Sequence, residues 1–410
     1  MILFLVEDER AGLWSPFAES RPVGELLFGD CLLRERIERG LGLPCSGYLG
    51  RPDMRGFDEP GAPAGQTPEV APDGGALLWL SRAAPAWGPI PSGTNAGPCQ
   101  WIMNGTVVGV SVPGGTRLSE AAARLCTPPE GAIPTEAVSG LLLGWPWELV
   151  EHNAAVLTGD LMGRLQEEPH GEDARTVADL AGVFGIGDGP VSLGPGSGVG
   201  PGVILDTRGG PIRLEAGVQV AGPARLVGPV HLGRGCQVFG GHLSRLSAGP
   251  VCKLRGEIDT AVLTGFVNKA HDGYLGHALT GRWVNLGALT TNSDLKNDYG
   301  PVRVELPGGT VDTGMMKVGV FLGDHVKTGI GTVLNTGSVV GAGSNVFGGG
   351  MPPKALPPYS WAGGGQVVPF RWEKFLQGAR VVAARRDQPW TPGVEAILRR
   401  LWERTHGNGG

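Results

Sequence analysis

A period of six residues runs through the second half of this sequence and limits the folds that the chain can adopt. Two apolar rows recur at this spacing, offset from each other by two residues. A period of six fits neither the helical repeat of about 3.6 residues nor the simple alternation of a strand. It is typical of a parallel β-helix, in which each hexad forms one short strand and one turn of a triangular coil. The rows are Leu214, Val220, Leu226, Leu232 and Val238, and Ile212, Val218, Ala224 and Val230.

The composition separates a packed solenoid from a flexible linker. Glycine accounts for 72 of the 410 residues, and only 18% of the residues are charged. Low-complexity segments can have the same high glycine content. However, 41% hydrophobic content with 11 tryptophans indicates buried cores, and a linker does not hold Val, Leu and Ile in register. Roughly ten coils fit into residues 186–365. A break in the count at residues 290–314 predicts a loop that leaves the solenoid, and such insertions often gather on a binding face.

The first 165 residues predict an α/β domain, because apolar strand-like runs alternate with helical patterns. MILFLV, GALLWLSRA and CQWIMNGTVVGV favour strands, whereas GELLFGDCLLRERIERGLG and WPWELVEHNAAVLTGDLMGRL favour helices. We interpret residues 166–185 as a linker, residues 186–366 as the solenoid and residues 367–410 as a helical tail. The tail has two amphipathic patterns separated by Pro389 and Pro392, and we expect its helices to cap the solenoid.

Charge, hydropathy and cysteine spacing narrow the class of protein. A net charge of −5 gives no basic footprint for nucleic acid, and no apolar run reaches the roughly 18–20 residues of a membrane span. The run MILFLV is cut off by Glu7 and Asp8, so we expect no signal peptide. The six cysteines lack CxxC spacing, as expected for reduced thiols. We therefore expect a cytoplasmic protein that binds neither nucleic acid nor membrane.

One segment resembles a known enzyme family. KAHDGYLGHALTGRWVNLGALTTN, residues 269–292, is similar to the acetyltransferase half of the bifunctional glucosamine-1-phosphate N-acetyltransferase and N-acetylglucosamine-1-phosphate uridylyltransferase enzymes of bacteria. FLGDHVKTGIGTVLNTGSVVG, PPYSWAGGG, ESRPVGELLFGDCLLRERIE and WIMNG are similar to a divergent branch of that family. The resemblance implies an α/β nucleotidyltransferase-like domain, then a left-handed parallel β-helix that carries the acyltransferase, and a homotrimeric assembly.

The resemblance also implies roles for single residues of the solenoid. His271 stands where the family has the base of acetyl transfer. Tyr274, Asn285 and Arg255 stand at positions that contact the sugar phosphate. Taken alone, an imidazole with a pKa of about 6.5 is largely neutral near pH 7 and can accept the proton of an attacking amine. The residues leave a second interpretation of His271, a surface or interface histidine that bonds a neighbouring turn.

Other positions show how this chain departs from the family. Lys296 lies near a sugar-site lysine, although the loop is longer here. One coil of the family is deleted before the histidine, together with a substrate lysine, and Lys269 is the candidate replacement. The resemblance implies contacts with the acetyl-CoA cosubstrate at Ala288 and Thr328, while Ile330 replaces a serine near the thioester.

A zinc site formed by histidines is an alternative interpretation of the same segment. His271 and His277 are six residues apart, and His325 follows later. Trimeric β-helices can bind zinc through three histidines at a subunit interface. Residues six apart take equivalent positions on successive faces of one coil, so a zinc site would need a histidine from a neighbouring chain.

The first domain departs from nucleotidyltransferases at the loop after its first strand. The family has a Gly-rich loop there, with an arginine and a lysine, and its backbone N–H groups hold the triphosphate. Here the loop has one glycine, and every lysine of the chain lies at or after Lys253. Arg10, Arg21 and Asn104 are the candidates for binding UTP or dTTP, and Asp8 is the candidate ligand of Mg²⁺. The alternative is that these arginines are solvated or salt-bridged in a domain without activity.

The sequence thus predicts a bifunctional sugar-phosphate enzyme. It would N-acetylate an amino-sugar 1-phosphate from acetyl-CoA and transfer a nucleotide to a sugar 1-phosphate. The alternatives are a single nucleotidyl- or acyltransferase acting on another sugar, and a non-catalytic scaffold that binds sugar nucleotides.

Overall fold

The computed structural model of the protein describes residues 1–63, 68–91, 97–167, 177 and 180–407. An α/β domain, a β-solenoid and a helical tail follow one another along this chain, as the sequence predicts. Most of the predicted linker, residues 168–176 and 178–179, lies outside the described residues. Within the described ranges, no helix is both long and apolar enough to cross a bilayer.

The first domain is built on a mixed six-stranded sheet. Its apolar first strand, Ile2–Val6, pairs in parallel with a strand on each side. Residues 3–6 are buried, which explains why this strand reads as a continuous apolar run rather than an alternating one. The strands lie in the order Cys45–Leu49, Ile2–Val6, Ala76–Leu80, Thr106–Val112, Cys99–Met103 and Thr135–Ala137, with a separate antiparallel pair formed by Ala83–Pro85 and Gly140–Leu142.

Two predicted elements of this domain are divided by turns. In residues 24–42 the helix is confined to Leu33–Leu41, because Gly29 has a left-handed φ of 69° and folds the preceding residues into a hairpin. CQWIMNGTVVGV forms two strands, since Asn104 and Gly105 make a two-residue turn with positive φ. The helices of the domain are Glu9–Gly12, Leu33–Leu41, Leu118–Ala122, Glu148–Glu151 and Asn153–Glu167, with 3-10 turns at Val23–Glu25 and Pro52–Met54 and the short strands Leu27–Phe28 and Cys31–Leu32.

The six-residue period corresponds to a solenoid whose coils pass in turn through three faces, which we name faces A, B and C. Neighbouring coils pair in parallel along each face, and alternate side chains fill a continuous apolar interior. Ala224–Leu232, Gly241–Ala248 and Glu257–Leu263 turn the A/B corner and belong to both faces. Face A also contains Phe184–Ile186, Val203–Asp206, Tyr274–Gly276, Thr291–Asn292 and Val333–Leu334. Face B also contains Val191–Leu193, Ile212–Leu214, Leu279–Thr280, Val320–Leu322, Ser338–Val340 and Ala355–Leu356.

Face C is a ten-stranded sheet that ends in an antiparallel hairpin. Its strands are two residues long over most of its length, with one side chain outside and the next inside. The strands are Gly198–Val199, Gln219–Val220, Gln237–Val238, Lys253–Leu254, Asn268–Lys269, Asn285–Leu286, Lys327–Thr328, Asn345–Val346, Ser360–Gly363 and Gln366–Pro369.

The predicted break contains a second hairpin, Arg303–Leu306 with Gly309–Asp312, which leaves the solenoid between faces A and B. Val302 and Val304 of this insertion pack into the same cluster as Trp14 and Trp147 of the first domain. Outward side chains of face B join that cluster, among them Val262, Leu279, Phe321 and Val339. Face B is therefore buried against the first domain.

The tail helices are Trp372–Ala384 and Pro392–His406. We expected them to cap the end of the solenoid, but they lie along its side. The first lies along the B/C corner, where Phe375 meets the ring of His325 with centroids 5.5 Å apart. The second reaches the first domain, because the carboxylate of Asp58 accepts hydrogen bonds from backbone N–H groups of its first turn. The tail thus covers one flank and joins the solenoid to the first domain.

His325 gives this corner a testable dependence on pH. Burial lowers the pKa of His325 to about 4, although Asp324 offsets part of the effect. The unfolded chain, with a histidine pKa near 6.5, binds a proton that the folded chain does not bind between pH 6.5 and pH 4. The stability from the neutral ring is therefore full above pH 6.5 and decreases as the pH falls to 4.

We predict that the free energy of unfolding decreases less in His325→Phe than in wild type between pH 6.5 and pH 4. The two decreases should differ by roughly 1–3 kcal/mol. Phe266 and Trp283 occupy the same corner with positive φ, so an aromatic ring fits there. Urea denaturation of both proteins at pH 7, 5.5 and 4.5 measures the effect. Parallel curves for the two proteins would contradict the assignment.

Candidate active site on the solenoid

Face A carries two rows of outward side chains, because parallel pairing keeps equivalent positions of successive coils in line about 4.8 Å apart. Each residue of a row is the register partner of the next one. The first row is Arg225, His242, Glu257 and Tyr274, and the second is Asp206, Val227, Ser244, Asp259 and Gly276.

The rows as far as Glu257 and Asp259 line an open polar groove with a volume of about 530 Å³. Arg208 and Arg225 both pair with Asp206 at 2.7 Å, and their hydrogen bonds lower the pKa of that carboxyl. Arg245 pairs with Asp259 at 2.5 Å. The side chains of Arg225 and Arg245 remain 41% and 46% exposed beside these carboxylates, so their guanidinium groups can also bind a phosphate. Carboxylates are suited to binding an ammonium group, and Glu257 is exposed in the groove. The groove therefore offers partners for a ligand that carries both groups.

A hydrogen-bonded cluster of three side chains lies on the next coil beyond the groove. The Tyr274 hydroxyl donates to Asp294 Oδ2 at 2.7 Å, and His277 Nδ1 lies 2.7 Å from the same oxygen. Burial acts to raise the pKa of Asp294, but the hydrogen bonds from His277 and Tyr274 outweigh it and lower that pKa. The carboxylate is ionised near neutral pH and only accepts hydrogen bonds, so Nδ1 of His277 carries the proton.

The backbone around this cluster is fixed where the insertion leaves the coil. The amide of Asn292 exchanges two hydrogen bonds with the backbone of Gly276, at 2.9 and 3.0 Å. The N–H of Gly319 donates to the carbonyl of His277 at 2.9 Å. A Cβ on Gly319 would lie 1.9 Å from the carbonyl oxygen of Gly276, so this close approach requires glycine. Both ends of the insertion are thereby held beside His277 and Asp294.

Three predicted residues meet at the C/A corner. His271 is exposed, and its imidazole has no hydrogen-bond partner in the part of the chain that the structure describes. Arg255 donates to Asp272 at 3.0 Å. Lys269 is 1% exposed and points into the solenoid, where its Nζ donates to the carbonyls of Arg255, at 3.0 Å, and His271. Burial lowers the pKa of Lys269 to about 8. These contacts favour a structural role for Lys269 over direct binding of substrate.

The other predicted solenoid residues lie on different surfaces. Asn285 is on face C, where it accepts a hydrogen bond from Asn268 at 2.6 Å. Thr328 is buried, and its hydroxyl bonds Gly287 and Thr290 at 3.0 and 2.7 Å. Lys296 is in the insertion and pairs with Asp298 at 3.1 Å. Ala288 lies on the C/A corner, where its carbonyl accepts from Gly331 at 2.8 Å.

The three histidines of the zinc alternative lie on three different corners. His271 is at C/A, His277 at A/B and His325 at B/C, as expected for residues on successive faces. Among the residues described, no group of three or more His, Cys, Asp and Glu side chains is placed to hold a metal ion. Within one chain these histidines therefore do not converge.

The predicted nucleotide residues of the first domain are dispersed. Asp8 caps the helix Glu9–Gly12 and pairs with Arg82 at 2.7 Å. Arg10 lies over the ring of Trp145, 4.6 Å from its centroid, and Asn104 is exposed in its hairpin turn. Because a guanidinium already neutralises the carboxylate of Asp8, this donor set does not fit a magnesium site.

Arg21 is 1% exposed and holds the two domains together. It pairs with Glu59 at 2.9 Å and with Asp324 of the solenoid at 2.8 Å, and Arg282 also pairs with Glu59 at 2.8 Å. Burial acts to raise the pKa of Glu59, but Arg21 and Arg282 outweigh it and lower that pKa to about 2. This geometry favours the salt-bridged alternative for Arg21 over a contact with nucleotide.

Comparison with known proteins finds similarity over part of the chain. No protein-family model matches. Over 95 residues the chain is 30% identical to a bifunctional sugar-1-phosphate nucleotidylyltransferase/acetyltransferase of Sulfurisphaera tokodaii, covering 23% of this chain and 24% of that protein. It is 31% identical over 86 residues to the bifunctional protein GlmU of Methanocaldococcus jannaschii, 21% of each chain. The match to GlmU of Methanococcus maripaludis is 32% over 88 residues, 22% of this chain and 21% of that protein. The chain thus spans about a quarter or less of the length of the curated relatives it matches.

The pairing of His277 with Asp294 was not predicted from the sequence, although a signal for it exists. The two residues are 17 positions apart, about the length of one coil of three hexads. A repeat of that length places residues of successive coils side by side, so the spacing itself indicates the contact. The six-residue count breaks at residue 290, so the sequence alone did not assign Asp294 to a coil.

We predict that Arg21→Ala lowers the free energy of unfolding by about 3–5 kcal/mol, because it leaves Glu59 and Asp324 with fewer partners for their buried charges. The exposed Arg10→Ala is the matched control and should cost less than about 1 kcal/mol. Urea denaturation of both variants measures the difference. Unchanged stability of Arg21→Ala combined with weaker binding of UTP would support the nucleotide-binding role instead.

Proposed function

We propose that this chain is a transferase of the sugar-1-phosphate nucleotidyltransferase/acetyltransferase type, and that acyl transfer takes place on face A of the solenoid. The observation that carries the proposal is the juxtaposition of the polar groove with the cluster of Tyr274, His277 and Asp294. The printed names of the partial relatives support the reaction class.

An amino-sugar 1-phosphate fits the chemistry of this groove. Arg225 and Arg245 would bind the phosphate, and Asp259 and Glu257 would bind the sugar hydroxyls or the ammonium group. Acetyl-CoA is the proposed acyl donor, with its contacts near Ala288 on the C/A corner. The donor supplies the electrophilic thioester carbonyl.

A homotrimer remains part of the proposal. The first domain buries face B, and the tail covers the B/C corner. Contacts between subunits would then use faces A and C, so a neighbour would complete the wall of the open groove.

Nucleotidyl transfer to a sugar 1-phosphate is the second proposed activity, and the names of the relatives favour it. The contacts of Asp8 and Arg21 in the first domain favour a structural role instead. The two activities are separable in one assay series.

We predict that the purified full chain releases free thiol from acetyl-CoA when glucosamine 1-phosphate is added. Pyrophosphate release from UTP or dTTP with Mg²⁺ and N-acetylglucosamine 1-phosphate measures the second activity. Thiol release without pyrophosphate would make the protein an acyltransferase alone. Neither product, together with a thermal shift on adding a sugar nucleotide, would favour a scaffold.

We also predict that Arg225→Ala raises the KM for the amino-sugar phosphate roughly 10- to 100-fold, since a charge-assisted contact contributes about 1.5–3 kcal/mol. Arg234→Ala is the control, because Arg234 is an exposed arginine outside the groove. Steady-state kinetics of both variants measure the effect. Equal KM values for the two variants would place the phosphate elsewhere.

A further inference from the structure

A general base must be held within reach of the proton that it removes. His271 stands where the similar family has its base, and it is exposed at the C/A corner. None of the described residues forms a hydrogen bond with its ring. Nothing within the described chain fixes its orientation or its tautomer. The second candidate imidazole lies six residues later and is held on several sides.

The backbone and the ring of His277 are both fixed. Its N–H donates to the carbonyl of Asp259 at 3.0 Å, and its carbonyl accepts from Gly319 at 2.9 Å. Its φ of 46° continues the left-handed A/B corner formed by Arg245 and Thr260 on the preceding coils. Its Nδ1–H donates to Asp294 at 2.7 Å. The ring is therefore oriented by a carboxylate, as catalytic bases commonly are.

The other ring nitrogen of His277 is left with a lone pair. Asp294 is ionised and also accepts from Tyr274, so it fixes the proton of His277 on Nδ1. Nε2 has no partner among the residues that the structure describes, and the side chain is 16% exposed. A neutral imidazole in this tautomer can accept a proton only at Nε2.

The register brings a phosphate-binding group to the coil next to that of His277. Arg245 Nε donates to Thr260 at 2.9 Å, so its guanidinium reaches the coil next to that of His277. Adjacent coils are about 4.8 Å apart. In an amino-sugar 1-phosphate with the amine on the neighbouring carbon, the two charged groups are separated by a similar distance. One sugar can therefore place its phosphate on Arg245 and its amine beside His277.

We propose that His277 is the catalytic base of the acyl transfer and that Asp294 is its positioning residue, an inference that rests on the proposed function. The amine nitrogen forms a C–N bond with the thioester carbonyl carbon while Nε2 of His277 takes one N–H proton. The tetrahedral intermediate then breaks its C–S bond, and the imidazolium returns the proton to the leaving thiolate. The products are the amide and the free thiol, and His277 is restored without a further reactant.

The test compares His277→Gly with His271→Gly in the full chain, using thiol release from acetyl-CoA with glucosamine 1-phosphate. Glycine suits the left-handed φ of His277. We expect His277→Gly to lower kcat by roughly 10²- to 10⁴-fold with KM within a few-fold of wild type, and added imidazole to restore part of the rate. His271→Gly should keep more than about a tenth of the rate.

Asp294→Asn separates positioning from folding, because it keeps the shape of the side chain. We expect kcat to fall at least about tenfold with KM and melting temperature close to wild type. If His277→Gly does not fold, this variant decides the question. If the wild-type enzyme is active and either His277→Gly or Asp294→Asn keeps full kcat, this inference is wrong but the proposed function stands. A wild-type chain that releases no thiol with amino-sugar phosphates overturns the proposed function and this inference together.

Discussion

The parallel register between coils is the constraint on which the rest of this structure depends. Because each strand of a face pairs with the equivalent strand of the next coil, inward positions form one apolar interior and outward positions form rows. Each coil contributes one side chain to each row, and the register places that side chain beside its neighbours in the row. Arg225, His242, Glu257 and Tyr274 are thereby aligned without long-range side-chain packing to hold them.

The three faces of the solenoid carry different contacts, and these contacts determine where a ligand can bind. Face B is apolar outside and packs on the first domain, and aromatic rings of the B/C corner pack under the tail. The loop after the first strand is part of the same interface, since Arg21 is bound by Asp324 and Glu59. The loop was expected to bind a nucleotide, but its Arg21 is used for buried ion pairs at this interface instead. Face A remains open and polar.

The period of six was sufficient to predict the solenoid and the inserted loop, because every coil repeats the same interior positions. Lys269 was predicted to contact substrate, whereas the structure places it inside the solenoid as the register partner of the buried Leu254. The partners of Arg21 were beyond sequence reasoning, because Asp324 is 303 residues away and belongs to another domain. The spacing of 17 residues between His277 and Asp294 indicates neighbours on successive coils. The pair was missed because the break in the period at residues 290–314 hid which coil Asp294 belongs to.

A crystal structure with glucosamine 1-phosphate bound tests the central claim most directly, because it locates the substrate independently of activity. The account predicts the sugar on face A, with its phosphate on Arg225 or Arg245 and its amine within hydrogen-bond distance of His277 Nε2. A sugar phosphate bound in the first domain beside Asp8, with face A empty, would contradict it.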